Sequence, residues 1–391
     1  MDTRTSLVSH ILLSGNSSWL QDISMAYGNY PDLRGVKRVL VVKMRHHGDV
    51  LLTSPLFSAL KRALPDARID ALLYKDTLPM LEGHPAIDRF LLYDRGWKKL
   101  GLLRRLREEW RLLRQVRRAS YDLVINLTEG DRGAIVAAAS GARVRAGFDP
   151  GKGGFAGKKR MYTHLVKPCP HPRHTVERQL DVARRLGVFP PPEERELTFH
   201  VPEEAQERVR AWVGESAYLL VHPASRWRFK CWPASQVAQL LKRLSGGPWK
   251  LVLSSGPDEP EIGMVEEIVQ LAPGIPLLNL AGKTTLKELG ALIALSEALV
   301  CVDSVPLHLA SALKTPVVAL FGPSSDQNWG PWRHPRSRVV AQKLPCRPCY
   351  LDGCGGSKMS DCLQTLPVEA VLSALESLLG SFKEACAARS L

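Results

Sequence analysis

A lone carboxylate set among bases at the end of an apolar run is an arrangement that can move a proton. In VVKMRHHGDVLLTSP, residues 41–55, the run ends in Lys43, Arg45, His46 and His47, and Gly48 and Asp49 then precede a second apolar run. Two readings stay open on this stretch alone. Asp49 can cap a helix, where aspartate is favoured and the helix dipole stabilises its charge. It can instead be a catalytic carboxylate at the carboxyl end of a parallel strand, where open α/β sheets bind ligands.

Three further strand ends carry unusual polarity. In HPASRWRFKCWP, residues 222–233, Ser225, free backbone N–H groups and Lys230 would together cradle an anion just before a helix opens at Trp232-Pro233. The plainer alternative is a solvated basic loop. In LSSGPDEPE, residues 253–261, the acids suit a ribose, because a carboxylate accepts hydrogen bonds from two vicinal hydroxyls. They also suit the first turn of any helix. In CVDSVPLHLASALKTPVVALFGP, residues 301–323, Asp303 and Ser304 end a strand, Pro306 suits the first helical turn and Ser304 can cap it. His308 then lies at the same mouth, and a helix N-terminus rimmed by Ser and His is suited to phosphate. The alternative for His308 is a partly buried histidine with its hydrogen bonds satisfied.

Stepping the pattern outwards, short β-rich runs alternate with helical periodicity along most of the chain. Strands are expected at 37–44, 68–74, 88–94, 121–127, 217–223, 298–304 and 316–322, with a helix from Ser54 to Leu64 and another ended by Gly141. Lys98 to Ser120 reads as a long basic amphipathic helix with Leu102, Leu103, Leu106, Trp110, Leu113 and Val116 at helical spacing. The stiff polar run PPPEERE, residues 190–196, separates two rounds of strand–helix alternation. Two doubly wound domains facing one another follow, with the cleft between them as the default ligand site. The expected division is an N-terminal extension at 1–35, domains at 36–190 and 191–365, and a helical segment at 366–391. No GxGxxG or Walker loop stands at a strand end, which argues against a simple dehydrogenase or a P-loop NTPase.

At 391 residues, two domains are the natural expectation. The net charge of +14 favours an anionic partner: nucleic acid, a phosphorylated substrate or an acidic membrane surface. No apolar run reaches the roughly 18 residues needed to span a bilayer. Asp2 and the very short patch Ile11–Leu13 do not make a signal peptide, so the protein is expected in the cytoplasm, peripheral on the anionic inner-membrane face. A basic nucleic-acid- or membrane-binding protein without catalysis is the competing reading. Aromatic content of 7% and the lack of a reader motif count against nucleic acid. Cys346, Cys349, Cys354 and Cys362 cluster; four thiolates could close a tetrahedral structural zinc site, or stay free.

The chain resembles the lipopolysaccharide heptosyltransferase family, glycosyltransferase family 9. The resemblance rests on MRHHGDVLLTSPLFSALK, HPASRWRFKCWP and VDSVPLHLASALKTPVVALFGPSS in that order, and covers roughly residues 36–380. It implies a GT-B fold: α/β, two facing Rossmann-like domains with the active site in the cleft. It implies ADP-heptose as donor, the lipopolysaccharide inner core as acceptor, inversion at the anomeric centre, and no required cofactor. By the same resemblance Asp49 is the general base and Lys230 holds the donor diphosphate with Ser225 beside it. Asp258 or Glu259 is the ribose-binding acid, and Thr284 lines the adenine. Asp303 and Ser304 contact heptose and phosphate, His308 is the histidine of the following helix, and Arg45, His46 and His47 hold the acceptor. Many members have Gly after the Asp-Ser/Thr pair; here Val305-Pro306 stands instead, and this variant resembles the branch that adds the third core heptose.

Overall fold

The structure is a computed structural model and describes residues 30–380. Residues 1–29 of the expected extension, and residues 381–391 with Cys386, lie outside the described residues.

The apolar run before Lys43 forms β1 (Arg38–Lys43), whose Val39, Leu40, Val41 and Val42 are fully buried on both faces. Such double burial is the signature of a central parallel strand covered by helices on each side. Around it lie β2 (Arg68–Tyr74), β3 (Arg89–Tyr93), β4 (Leu123–Asn126), β5 (Val144–Phe148) and β6 (His164–Val166), all parallel, in the order β3-β2-β1-β4-β5-β6. The helices are α1 (His47–Leu51), α2 (Ser54–Ala63), α3 (Leu102–Arg118), α4 (Asp131–Ser140) and α5 (Thr175–Arg185). Pro55 sits in the first turn of α2, where its missing N–H costs nothing. Gly141 ends α4 with φ 67, a conformation that residues with a Cβ disfavour.

The second half repeats the plan. Helices α6 (Glu203–Val213), α7 (Ala234–Leu244), α8 (Glu259–Leu271), α9 (Leu286–Ala294), α10 (Val305–Leu313) and α11 (Val368–Leu379) surround β7 (Tyr218–His222), β8 (Lys250–Leu253), β9 (Leu277–Asn279), β10 (Ala298–Val302), β11 (Val317–Leu320) and β12 (Ser337–Val340). Their order, β12-β11-β10-β7-β8-β9, is that of the first sheet. In each sheet the strand order reverses once, between β1 and β4 and between β7 and β10. The crevice outside the carboxyl ends of such strands is where doubly wound sheets bind ligands.

The two halves touch at several points. Lys287 Nζ donates to the carbonyls of Glu82 (2.9 Å) and His200 (2.8 Å). The His174 ring stacks on Trp332 with centroids 4.5 Å apart and pairs with the Gly330 carbonyl at 3.1 Å. One apolar cluster runs from Val39 and Val50 in the first half to Leu307 and Phe321 in the second. The C-terminal α11 buries Val371, Leu372 and Leu375 in the core of the second half.

The helix expected over Lys98–Ser120 forms as α3 from Leu102, after a separate 3-10 turn at Arg95–Lys99, and its apolar face is covered only in part. Leu112 and Val116 are buried, whereas Leu102, Leu103, Leu106 and Trp110 are exposed. Periodicity predicts which residues share a face; it does not say whether another element reaches them.

Candidate active site

Chain leaving β1 turns at once into α1, a single turn that carries Asp49 past the end of the strand. His46 occupies the N-cap position and Asp49 is the third residue of the helix, with no side-chain cap hydrogen bond. The helix-cap reading of Asp49 therefore fails. Its carboxylate, only 13% exposed, lies instead between Lys43 Nζ at 4.0 Å and Arg45 Nε at 3.9 Å. Lys43 is buried, donates to the Leu127 carbonyl at 3.3 Å, and is pulled down to about 8 by that burial, with Asp49 opposing.

The other wall of the cleft comes from the β7 and β10 ends. Chain after β7 folds into a short turn held by Cys231, whose Sγ accepts from Ser225 N at 3.3 Å. That turn projects Lys230, which donates to Asp303 Oδ2 at 2.7 Å; Ser324 Oγ donates to the same oxygen at 2.6 Å. Asp303 follows β10 and is buried. Ser304 holds the N-cap position of α10 and its hydroxyl donates back to the Val302 carbonyl (3.3 Å); Leu307 N donates to the Ser304 carbonyl at 3.2 Å and Pro306 has no N–H, so Val305 N–H is the first-turn donor left to face the cleft. The Val305 N–H, the positive end of the α10 dipole and the Lys230 ammonium lie on one side of the cleft, a setting that attracts anionic oxygens.

His308, on the first turns of α10, joins the two walls. It is buried, and its ring lies so close to Gly48 that a Cβ there would sit 2.7 Å from its Cδ2. Burial holds His308 below its ordinary value; Asp303 and Asp49 act the other way and Lys230 reinforces the drop. Three charged groups from three strand ends thus act on one imidazole, whose Nδ1 has no hydrogen-bond partner among the described residues. Gly48→Ala is expected to force this contact apart. The overpacking should cost about 1–3 kcal/mol of stability, read as an earlier midpoint in urea, and turnover should fall with it.

The structure gathers Asp49, Lys230, Asp303, Ser304 and His308 around one cleft. Arg45 and His46 are exposed at its rim, while His47 is turned away and pairs with the Asp76 carbonyl at 3.0 Å. Ser225 Oγ accepts from Trp227 N at 3.3 Å and lines a neighbouring cavity of about 430 Å³ between the starts of α7 and α8. Asp258 and Glu259 are exposed and do not line this cavity; Glu267, exposed, and Glu261, buried with its Oε2 accepting from Gly256 N at 3.1 Å, do. Burial pushes the Glu261 carboxyl above the usual carboxylate range. No local signal separates it from Asp258 and Glu259, since the first turn of a helix presents successive residues to different sides. Thr284 is half-buried in the loop before α9, where Thr285 and Glu288 form a capping box. Burial holds His46 and His47 below the ordinary imidazole value, and Arg226, not singled out in the sequence, adds a small electrostatic push in the same direction from across the cleft.

Of the two readings of the clustered cysteines, the zinc site finds no support. Among the described residues no group of three or more His, Cys, Asp or Glu side chains is placed to hold a metal. Cys362, buried under Gly322, feels Cys349 and Cys354 electrostatically, while Cys346 is exposed and Cys354 Sγ accepts from Asp361 N at 3.5 Å.

Comparison with known proteins places this geometry in context. The sequence profile of glycosyltransferase family 9 (heptosyltransferase) matches residues 109–359. Lipopolysaccharide heptosyltransferase 3 of Escherichia coli (strain K12) is 35% identical over 343 residues, covering 86% of this chain and 96% of that protein. Among solved structures, the family 9 glycosyltransferase of Veillonella parvula DSM 2008 superposes with a TM-score of 0.75 at 23% identity, covering 90% of this chain and 99% of that one. The E. coli ADP-heptose lipopolysaccharide heptosyltransferase II follows at 0.71 and 23%, covering 88% and 98%. These two show the fold, and the fold is GT-B.

Proposed function

The chain belongs to glycosyltransferase family 9, the heptosyltransferases, and on that premise we propose that it moves a heptose from ADP-heptose to the inner core of lipopolysaccharide, adding the third core heptose. The 35% identity to a heptosyltransferase 3 over nearly the whole of both chains supports the sub-assignment. The observation that carries the mechanism is the pairing of opposite wall chemistries across the Gly48–His308 contact: a carboxylate on one side, a lysine and the positive end of the α10 dipole on the other.

In this reading the donor diphosphate lies against Lys230 and the first turn of α10, and Glu261 or its neighbours Asp258 and Glu259 receive the ribose. The acceptor hydroxyl approaches the anomeric carbon from the Asp49 side. The new O–C1 bond forms as the C1–O bond to the β-phosphate breaks, and the electron pair leaves with ADP. The hydroxyl proton passes to Asp49. An attacking hydroxyl acidifies as its bond forms, so a carboxylate beside two basic side chains still serves as base late in an oxocarbenium-like step. Lys230 and the α10 dipole act on the charge that grows on the departing phosphate, the kind of preorganised electrostatics that dominates such transfers. Attack from the face opposite the leaving group inverts the anomeric centre.

The acceptor is a phosphorylated glycolipid, which places the protein peripherally on the anionic cytoplasmic face of the inner membrane. Arg45, with Arg105 and Arg132, lines a cavity of about 520 Å³ beside Asp49 that suits acceptor phosphates. Exposed charges are screened within about 10 Å at 0.1 M salt. The acceptor KM should therefore rise severalfold from low to high salt, and a flat KM would remove these arginines from the acceptor site. The test of the function is turnover of ADP-heptose against inner cores truncated at each heptose, with the product linkage determined. Transfer to the core bearing two heptoses is expected; transfer to none of the cores overturns the reading.

A further inference from the structure

Helix α3 carries seven arginines and two glutamates in 17 residues, yet four of its large apolar side chains face solvent. Leu102 is 69% exposed, Leu103 82%, Leu106 51% and Trp110 54%. At 3.6 residues per turn, Leu103, Leu106 and Trp110 fall on one flank of the helix, and Arg104, Arg107, Arg111, Arg114 and Arg118 on the adjoining flank, all exposed. Of the two acids, Glu109 is engaged by Arg105 and Arg132, and Glu108 lies 3.6 Å from Arg111. Arg107, Arg111, Arg114 and Arg118 with Trp110 line a groove of about 620 Å³, and the Arg114 guanidinium stacks over the Trp110 ring at 3.7 Å.

A solvated helix has no use for an exposed Leu and Trp ridge. A helix lying in the headgroup region of a bilayer uses both flanks: the apolar ridge enters the acyl boundary and the arginines meet anionic headgroups. Among the described residues no helix is long and apolar enough to cross a membrane, so contact would be of this surface kind. We propose that the outer face of α3 is the membrane-docking element of this protein, seated on an anionic phospholipid surface. The inner face fits the same purpose. Arg105, Glu109 and Leu112 line the cavity that also holds Arg45, whose Nε is 3.9 Å from Asp49. A glycolipid anchored in the bilayer under α3 would then present its sugar phosphates to that cavity and its hydroxyl to the base. The inference deepens the proposed function and rests on its reading of the acceptor as a lipid-anchored glycan.

The experiment is co-sedimentation of the full chain with phosphatidylcholine vesicles with and without phosphatidylglycerol, with no donor or acceptor present. The wild type should bind the anionic vesicles and scarcely the neutral ones. Both L103S/L106S/W110S and R107E/R111E/R114E should lose binding by roughly tenfold or more, with unchanged circular dichroism. Turnover of a deacylated, water-soluble inner-core acceptor should persist in the leucine–tryptophan variant. Wild-type failure to bind anionic vesicles overturns the proposal, as do variants that bind like the wild type. Displacement from vesicles by equimolar nucleic acid would assign the helix to another polyanion, and dimers that dissociate only in the leucine–tryptophan variant would assign it to a second copy. Because the vesicle assay needs no chemistry, an inactive wild type would refute the transferase reading while leaving this measurement intact.

Discussion

Asp49→Asn should lower kcat by roughly 10²–10⁴, the range removed with a general base, while leaving ADP-heptose affinity almost unchanged. The geometry makes the substitution clean. Asp49 caps nothing and is the third residue of a single-turn helix, so the amide can replace the carboxylate without undoing a backbone bond. The groups proposed to hold the donor, Lys230 and Asp303, are on the other sheet, so donor titration should not sense the change. A second readout separates the electrostatic role from the chemical one. Lys43 is buried at 4.0 Å from Asp49, and burial pulls its ammonium down to about 8 against Asp49, which favours the charged form. Because the folded value lies below the ordinary 10.5, keeping Lys43 charged costs stability below about pH 8, and the cost is relieved as pH rises through 8 towards 10.5. Removing Asp49 should deepen that cost at pH 7. The stability gap between variant and wild type should then narrow above pH 8, where Lys43 is neutral in both. Single-turnover rates at saturating donor, with urea midpoints at pH 7 and 9, test both halves. An active Asp49→Asn enzyme would remove Asp49 as the base.

Lys230→Ala should weaken ADP binding by about 10–150-fold, the equivalent of a lost charge-assisted bond of about 1.5–3 kcal/mol. The structure adds a complication that the sequence did not carry. Lys230 is also the partner of Asp303, whose carboxylate is 6% exposed and otherwise accepts from Ser324. Without the ammonium, Asp303 would face the diphosphate as an uncompensated buried charge, so repulsion adds to the lost attraction. The double variant Lys230→Ala/Asp303→Asn resolves the two contributions. If it recovers part of the affinity, the recovered part measures the repulsion and the rest measures the phosphate contact. Unchanged ADP affinity in the single variant, measured by calorimetry on folded protein, would confine Lys230 to holding Asp303.

Much of this was legible in the sequence. The strands at 68–74 and 88–94, the helix opened by Pro55 and the one ended by Gly141 rest on signals that act within a few residues: apolar runs, a fixed proline φ, a glycine free to turn left-handed. Asp49, Lys230, Asp303 and His308 could be picked out because each follows a strand end, and parallel sheets bring such ends to one crevice. Glu261 was missed because a run of three acids and two prolines does not reveal which member turns into the cavity.

What the sequence by itself determined is thus the repeated α/β plan, the position of each polar strand end and the family motifs at them. Tertiary structure alone decided the pairings: Lys230 with Asp303 across 73 residues, the His308 ring against Gly48, His47 turned to Asp76 instead of the cleft. It also decided that the four clustered cysteines form no group placed to hold a metal. The exposed ridge of α3 belongs to the same class. An amphipathic pattern records a division of faces along one helix, but burial depends on which other element arrives, and that is set by how the whole sheet stacks its crossovers.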